Sequence, residues 1–417
     1  MNPQRSTPMA RLMANPDFMR LWAVGGVANV MRWVEILVGA VFTWEATQSA
    51  LAVSLVAVLR AMPMLLLGAV TGVLAEVLDR RRLLMAGQSL TAAGSLTICA
   101  LAATGHLQVW HLAVSGLTGG LVWTMEMASR RRMVTEAAGM QDTIPAVALD
   151  STTNTTTRML GPLLGGLIYQ QAGIATAYAM TGCGYILAVA LMHGVRHAQV
   201  PARLQPRRIL LDVVDATRIV RRHPALLAVV LVTLAQNIFA FSYNAVLPAL
   251  GTLNFNATPF QIGLLTAAEP TGALLMGVAL ALRRGVPLVA LLMVGGSAGF
   301  MACLVLLPLM PWLWLAFGLL VLGGFGTALF TALQTALPVT QAPPEARSRV
   351  LGLVTTCIGF SPLGTLTMGA LADAIGPGRA ISLMASGGLL MMAATAAMLW
   401  RNRPARPGRH EAAGGNR

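Results

Sequence analysis

Asp150 to Gly166 reads DSTTNTTTRMLGPLLGG. Asp150, Asn154 and Arg158 recur every fourth residue, and Pro162 and Gly166 continue the spacing, so on a helix all five share one face. That face is polar at one end and small at the other. The opposite side, running on through Leu163, Leu164, Leu167 and Ile168, is apolar. An arginine set this deep in a hydrophobic span costs roughly 2.5 to 3.5 kcal/mol on insertion scales, so it faces a bundle interior or a water-filled cavity. Arg158 therefore reads as lining a path.

Composition supplies the setting. The 417 residues are 56% hydrophobic and 11% charged, too few charges to cover a soluble globule. The mean hydropathy of +0.69 agrees. A net charge of +14 would suit nucleic acid only if it were gathered on a soluble face. Here it is divided among short loops, and no nucleic acid is expected as a partner. Cys99, Cys183, Cys303 and Cys357 lie singly in apolar segments, without the paired spacing of a disulfide framework or a zinc site. The first twenty residues carry Arg5, Arg11 and Arg20, and the apolar run after them is too long for a cleaved signal.

A bilayer crossing takes about 20 apolar residues. By that measure twelve spans are expected, centred near residues 32, 61, 93, 117, 159, 183, 235, 270, 294, 323, 360 and 391. With the N-terminus cytoplasmic, Arg80 to Arg82, Arg130 to Arg132, the arginines from Arg196 to Arg222, Arg283, Arg284, Arg347, Arg349 and those of the tail all fall on the cytoplasmic side. Only Arg379 falls outside, and Arg32, Arg60 and Arg158 lie within spans. The positive-inside rule thus holds at every alternate loop and places both termini in the cytoplasm.

The expected fold is an all-α membrane protein of two pseudo-symmetric six-helix bundles. Its parts are a cytoplasmic segment at 1–20, a bundle at 21–192, an inter-lobe linker at 193–224, a second bundle at 225–400 and a disordered basic tail at 401–417. Within the linker, Ile209 to Arg222 is amphipathic and is expected along the membrane surface. The halves echo one another. Pro63 in span two matches Pro270 in span eight, and Gly161-Pro162 with Gly173 in span five matches Ser361-Pro362 with Gly376 in span eleven. A duplication at near-constant offset implies two lobes with a cavity between them, the architecture of alternating access.

The ionisable groups inside spans are Arg32, Glu35, Arg60, Glu126, Arg158 and Glu269, with Asp150 near the inner end of span five. Arg32 and Glu35, three apart, can pair on one face beside Asn29. Arg60 fits a bridge to a neighbouring helix as well as a place on the path. Glu126 and Arg130, four apart, read as a structural or gating pair. Glu269 precedes Pro270 and has no basic neighbour in sequence, which suits a group that loads and releases a proton unless an arginine of the other lobe ionises it. Gln236, Asn237, Tyr243 and Asn244 of span seven, with Asn154 of span five, can hydrogen-bond a polar substrate or hold helices together. Trp33 lies deep enough to stack on an aromatic ligand, whereas Trp110, Trp312 and Trp314 sit at span ends as interfacial anchors.

Between spans two and three the chain reads GVLAEVLDRRR, from Gly72 to Arg82. Gly72 lets helices approach, and Glu76, Asp79, Arg80, Arg81 and Arg82 can form a charge lock that changes with lobe orientation. This segment resembles the loop signature of the major facilitator superfamily, and in particular its drug:proton antiporter branch that includes enterobactin-type siderophore exporters. Gly161-Pro162-Leu-Leu-Gly165-Gly166 is similar to the antiporter signature of span five, with Thr157 where a leading glycine is usual. PPEARSRVLGLV, SPLG and GALADAIGPG, between Pro343 and Gly378, resemble the corresponding segment of the same branch. The arginine-and-glutamine signature that many of its members carry in span four is replaced by Trp123-Thr-Met-Glu126-Met-Ala-Ser-Arg130.

The resemblance implies a secondary active exporter in a bacterial inner membrane, moving small amphipathic molecules of drug or siderophore type by alternating access. The proton gradient would be its energy source and no cofactor is expected. Gly161, Pro162, Gly165 and Gly166 would let helices slide. A single copy in the bilayer, meeting only lipid and a small-molecule substrate, is expected. An importer or lipid flippase of the same fold, or a non-transporting receptor or assembly partner, are the alternatives. No hydrolytic or redox constellation and no phosphate-cradling loop is present, so an enzyme is not expected.

Overall fold

The computed structural model describes residues 7–196, 209–282 and 289–402, without the side chains of residues 68–77, 128, 209–214, 345 and 348. Of the expected features, Arg283, Arg284, the middle of the linker and the tail beyond residue 402 lie outside the described residues, and for Gly72 and Glu76 only the helical backbone is described. The described chain is helical throughout. It opens with α1 (Pro8–Ala14), α2 (Pro16–Thr47), α3 (Ala50–Val77) and α4 (Arg80–Ala103). These starts are written locally: Asn15 accepts from the amides of Asp17 and Phe18 with Pro16 at the first helical position, and Asp79 accepts from the Arg82 amide at 3.1 Å. The first span therefore begins at Pro16, ahead of residue 21.

Next comes α5 (Val109–His193), 85 residues long. A straight helix of that length would measure about 130 Å, some four bilayer cores. It is broken at Gly139 (φ 73°) and Gly173 (φ 75°), left-handed positions that glycine alone adopts without strain, into stretches of 109–138, 140–172 and 174–193. Then follow α6 (Ile209–Arg222), α7 (Pro224–Ala235), a π turn at Gln236–Ala240, a 3-10 turn at Phe241–Val246, α8 (Leu247–Phe255) and α9 (Pro259–Leu282). The chain closes with α10 (Ala290–Leu306), α11 (Leu313–Gln341), α12 (Arg347–Ile358), α13 (Ser361–Ile375) and α14 (Pro377–Arg401). By length and composition, ten helical segments among the described residues can cross a membrane, with α5 counted as one. Large apolar side chains such as Leu66, Leu187, Leu322 and Leu390 are exposed on their outer faces, as lipid-facing positions require.

Small residues set how closely the helices pack. Gly161 and Gly165 of α5 lie against Val30, Trp33 and Val34 of α2, and Gly120 lies against the carbonyl of Arg60 in α3. In the second half Gly324 of α11 lies against the carbonyl of Glu269 in α9, the same crossing repeated. Between halves, Gly166 meets Pro259 and Phe260 of α9, and Gly369 of α13 meets Ala50 and Ser54 of α3. These contacts run from the end opposite the arginine clusters to mid-span.

The expected amphipathic stretch is α6. Its Val220 packs with Leu226, Ala342 and Val350, and Asp215 pairs with Arg349 at 3.4 Å, so protein covers part of the face expected against the membrane surface. At the arginine-rich end of the first half, Leu12, Phe18, Leu21, Met133 and Met192 form a buried core that docks α1. Arg11 donates to Asp142 at 2.6 and 2.9 Å across the break at Gly139, and Asn15 donates to the Ala137 carbonyl at 2.9 Å.

The hydrogen bonds from Arg11, aided by its charge, hold the Asp142 carboxyl below the usual carboxylate range. A carboxylate made more acidic by folding contributes stability above its unfolded pKa of about 3.9 and loses it as pH falls through the folded value. Hydrogen-exchange protection of residues 8–14 is therefore expected to hold from pH 8 to 5 and to fall below about pH 4. In Asp142→Asn it should be low throughout; equal profiles in the two proteins would contradict the docking.

Candidate functional site

A cavity of about 270 Å³ opens between the halves. From α2 it takes Asn29, Arg32 and Trp33, which share a face at spacings of three and four, and Glu35, three residues beyond Arg32 at the edge of that face. Arg60 comes from α3, and Trp123, Asn154 and Tyr178 come from the three stretches of α5 in turn. Phe241 and Asn244 enter where the α7–α8 span loosens through its π and 3-10 turns, which re-aim side chains that a continuous helix would turn elsewhere.

Of the charged residues that the sequence singled out, Arg32, Glu35 and Arg60 line this cavity, while Glu126, Asp150, Arg158 and Glu269 stand outside its lining. Arg32 and Glu35 do not pair. The Arg32 guanidinium donates to Glu126 of α5 and, at 2.5 Å, to the Asn29 side chain, and it lies 5.5 Å over the Trp123 ring. Helical spacing put Arg32 and Glu35 within reach of each other, but the neighbouring helices supply better-placed partners for both. Glu126 also receives Arg130 at 3.6 Å, and Arg130 grips Asp150 at 2.6 and 3.2 Å. A chain of charge thus runs from Asn29 through Arg32, Glu126 and Arg130 to Asp150, towards the arginine-rich end. Glu126 thus holds both Arg32 of the cavity wall and Arg130.

Glu35, 2% exposed, accepts from Ser95 at 2.5 Å and from Arg60 and Tyr185 at 3.4 Å each. Arg60 is both a bridge to α2 and a lining residue. In the other half Glu269, 1% exposed, accepts from Arg158 at 2.9 Å and from Thr327 at 2.5 Å. Arg158 lies 5.5 Å over the Trp33 ring. The lobe-crossing arginine left open by the sequence is therefore Arg158 itself, and Trp33 stacks on this guanidinium.

Gln236 and Tyr243 are buried, and their side-chain polar atoms have no hydrogen-bond partner among the described residues. Asn237 and Asn244 donate to the carbonyls of Thr233 and Phe241 in their own span. Of these four only Asn244 lines the cavity. Around the expected charge lock, Arg80 pairs with Glu136 at 2.9 Å and Arg81 donates to the carbonyls of Met192 and His193. Asp79 caps α4 and meets Arg82 at 3.8 Å. Arg80 and Arg81 thus tie to other parts of the first half.

Sequence reading missed Ser95, Tyr185, Thr327 and Trp123. Ser95 had a signal: Gln88, Thr91 and Ser95 form a buried polar stripe at spacings of three and four on an otherwise apolar helix. Thr327 and Tyr185 had comparable signals, in the series Thr327, Thr331, Gln334 and Tyr178, Thr181, Tyr185 at spacings of three and four.

The sequence profile of the transmembrane secretion effector family matches residues 6–410. The chain belongs to this family. It is a family of the major facilitator superfamily, whose members are membrane transporters and not enzymes. Among similar proteins, the enterobactin exporter EntS of Citrobacter koseri is 26% identical over 336 residues, 78% of each chain. The multidrug efflux pump Tap of Mycolicibacterium fortuitum is 28% identical over 80% of this chain and 85% of its own. Macrolide efflux protein A of Streptococcus pyogenes is 21% identical over 86% and 90%. The relatives are efflux transporters, and this chain is a multi-pass membrane transporter. Among solved structures, the nucleoside transporter NupG covers 91% of this chain and 99% of its own with a TM-score of 0.71 at 12% identity. That likeness establishes the fold.

Breaking a buried ion pair by removing one partner costs about 3–5 kcal/mol, whereas replacing both partners by apolar residues is often neutral. Glu126→Leu is expected to lower thermal stability in detergent sharply, and Arg32→Met added to it to restore most of the loss. A single variant as stable as the parent would show that the pair holds nothing.

Proposed function

We propose that this secretion-effector family member is a proton-coupled exporter of small amphipathic molecules in the bacterial inner membrane. In this reading the breaks at Gly139 and Gly173 divide α5 into three crossings, so the chain spans the membrane twelve times in two six-helix bundles with both termini cytoplasmic. The arginine clusters at one end support that orientation. The cavity then faces the cytoplasm, and the halves touch from mid-span to the outer end.

The observation that carries the reading is the Arg158–Glu269 pair, which joins the halves within the membrane at 2.9 Å. Arg158 keeps 31% of its side chain exposed, whereas Glu269 keeps 2%. Cargo entering from the cytoplasm can therefore reach the guanidinium first. An anionic or carbonyl oxygen that takes Arg158 away from Glu269 leaves a buried carboxylate without its cation, and uptake of a proton relieves that cost. Glu35, bound closely by neutral Ser95 and more loosely by Arg60, is the second group able to carry the proton. Trp33, Trp123, Tyr178 and Phe241 offer an aromatic and apolar wall to the rest of the molecule. A siderophore-like anion is the sharper choice of cargo. The names of the relatives, enterobactin exporter, multidrug pump and macrolide efflux protein, support an amphipathic cargo in general.

Inside-out vesicles with an imposed proton gradient, offered a catecholate siderophore, a macrolide and a cationic dye, test this. The intact protein is expected to accumulate at least one of them in a gradient-dependent way. Arg158→Ala and Glu269→Gln should each lower the rate by about tenfold, the worth of one charge-assisted hydrogen bond. Undiminished export of every substrate by Arg158→Ala would remove the arginine from the path, and export indifferent to the gradient would remove the coupling.

A further inference from the structure

At the end opposite the arginine clusters, each half caps a helix of the other. Asp373 of α13 accepts from the Ala50 amide and the Ser49 hydroxyl at 2.6 Å each, and from the Leu51 amide at 3.3 Å. These amides begin α3 and have no partner within their own helix. Across the interface Gln170 of α5 accepts from the Phe260 amide in the first turn of α9 at 3.2 Å.

The two caps are built on one repeated pattern. Gly166-Leu-Ile-Tyr-Gln170-Gln-Ala-Gly173 and Gly369-Ala-Leu-Ala-Asp373-Ala-Ile-Gly376 place a glycine, a polar residue and a second glycine at the same intervals. In each, the first glycine gives close approach to the partner helix: Gly166 lies on Pro259 and Phe260, and Gly369 on Ala50 and Ser54. In each, the second ends the helix with positive φ, 75° at Gly173 and 89° at Gly376. The caps are thus equivalent in position and differ in chemistry. One is a carboxylate and the other an amide that does not titrate.

We propose that Asp373 and Gln170 form a latch holding the halves together at this end, and that protonation of Asp373 from the adjoining solution releases its side of the latch. A carboxylate at a helix N-terminus is favoured by the helix dipole as well as by its hydrogen bonds, and a neutral acid loses most of both. Because the cap exists only while the halves are together, a proton on Asp373 shifts the equilibrium towards separation at this end.

Solution reaches Asp373, which is exposed beside a crevice of about 300 Å³ lined by Trp44, Gln48, Leu253 and Pro377. Of the elements packed around it, α3 has no charged residue before Arg60, and α8 has none. Glu45 near the end of α2 is engaged by the Tyr169 hydroxyl of α5. Arg379 in the first turn of α14 forms no ion pair with Asp373 among the described residues. The latch requires neither cargo nor a gradient, so it stands or falls separately from the transport reading.

The test uses the full chain in lipid nanodiscs with its four native cysteines replaced. Spin labels go at His106→Cys and Leu309→Cys, exposed positions at this end in opposite halves. From pH 7 to pH 3 the long-distance fraction is expected to rise about fivefold, the factor that loss of one helix cap corresponds to. Asp373→Ala should show a raised fraction that no longer responds to pH, and Glu45→Gln should respond as the parent does. Gln170→Glu should make the response steeper by adding a second titrating cap, and it reads the latch even if Asp373→Ala does not fold. A parental pH response in Asp373→Ala, or an unaltered one in Gln170→Glu, would overturn the proposal.

Discussion

Charge neutrality inside the membrane is the constraint on which this structure depends. Among the described residues, four arginines and four carboxylates form ion pairs inside its first bundle of helices and across to α9, and each cation has a carboxylate: Arg32 has Glu126, Arg60 has Glu35, Arg130 has Asp150 with Glu126, and Arg158 has Glu269. Hydrocarbon does not tolerate such groups singly. Three of these pairings lie within the first half and fix α2, α3 and α5 against one another; the fourth joins the halves. A network balanced in this way can admit a charged molecule only by exchanging partners. In the proposed cycle that exchange is what carries a binding event to both halves.

Close packing makes the balance geometrically workable. Arg60 reaches Glu35 because Gly120 lets its backbone lie directly on α5, and Glu269 stands at the matching crossing, where Gly324 lies under its carbonyl. The same duplication that puts a proline in α3 and in α9 puts a charged residue close before it in each: Arg60 before Pro63, and Glu269 before Pro270. In one half the duplicated site carries a cation held within that half. In the other it carries an anion held across the interface. That difference sets the two halves apart at otherwise matching crossings.

Much of this was legible in the sequence. A charged residue in an apolar span must face inward, so Arg32, Glu35, Arg60, Glu126, Arg158 and Glu269 were recognisable from position alone. Which of them meet was not, because pairing across helices depends on rotation and offset that no local spacing encodes. Arg32 and Glu35 show the limit: three residues apart on one helix, they turn to different neighbours. The long helix α5 shows a related one. Gly139 and Gly173 end stretches of helix through a backbone angle, and only the second lay in a recognised pattern. The repeated pattern around Gln170 and Asp373 was in the sequence too, but its meaning lies in what each side chain caps on the opposite half.

The central claim, which rests on the proposed function, is that the cavity lined by Arg32, Glu35 and Arg60 is a water-filled gap that opens at the arginine-rich end. Its most direct test is thiol accessibility in oriented vesicles of a chain lacking its native cysteines. Asn154→Cys, on the cavity wall, should react with a membrane-impermeant maleimide applied from the arginine-rich side and be protected from the other, while Leu187→Cys, on the exposed apolar face, should react from neither. An Asn154→Cys thiol that is unreactive from the arginine-rich side would contradict the account.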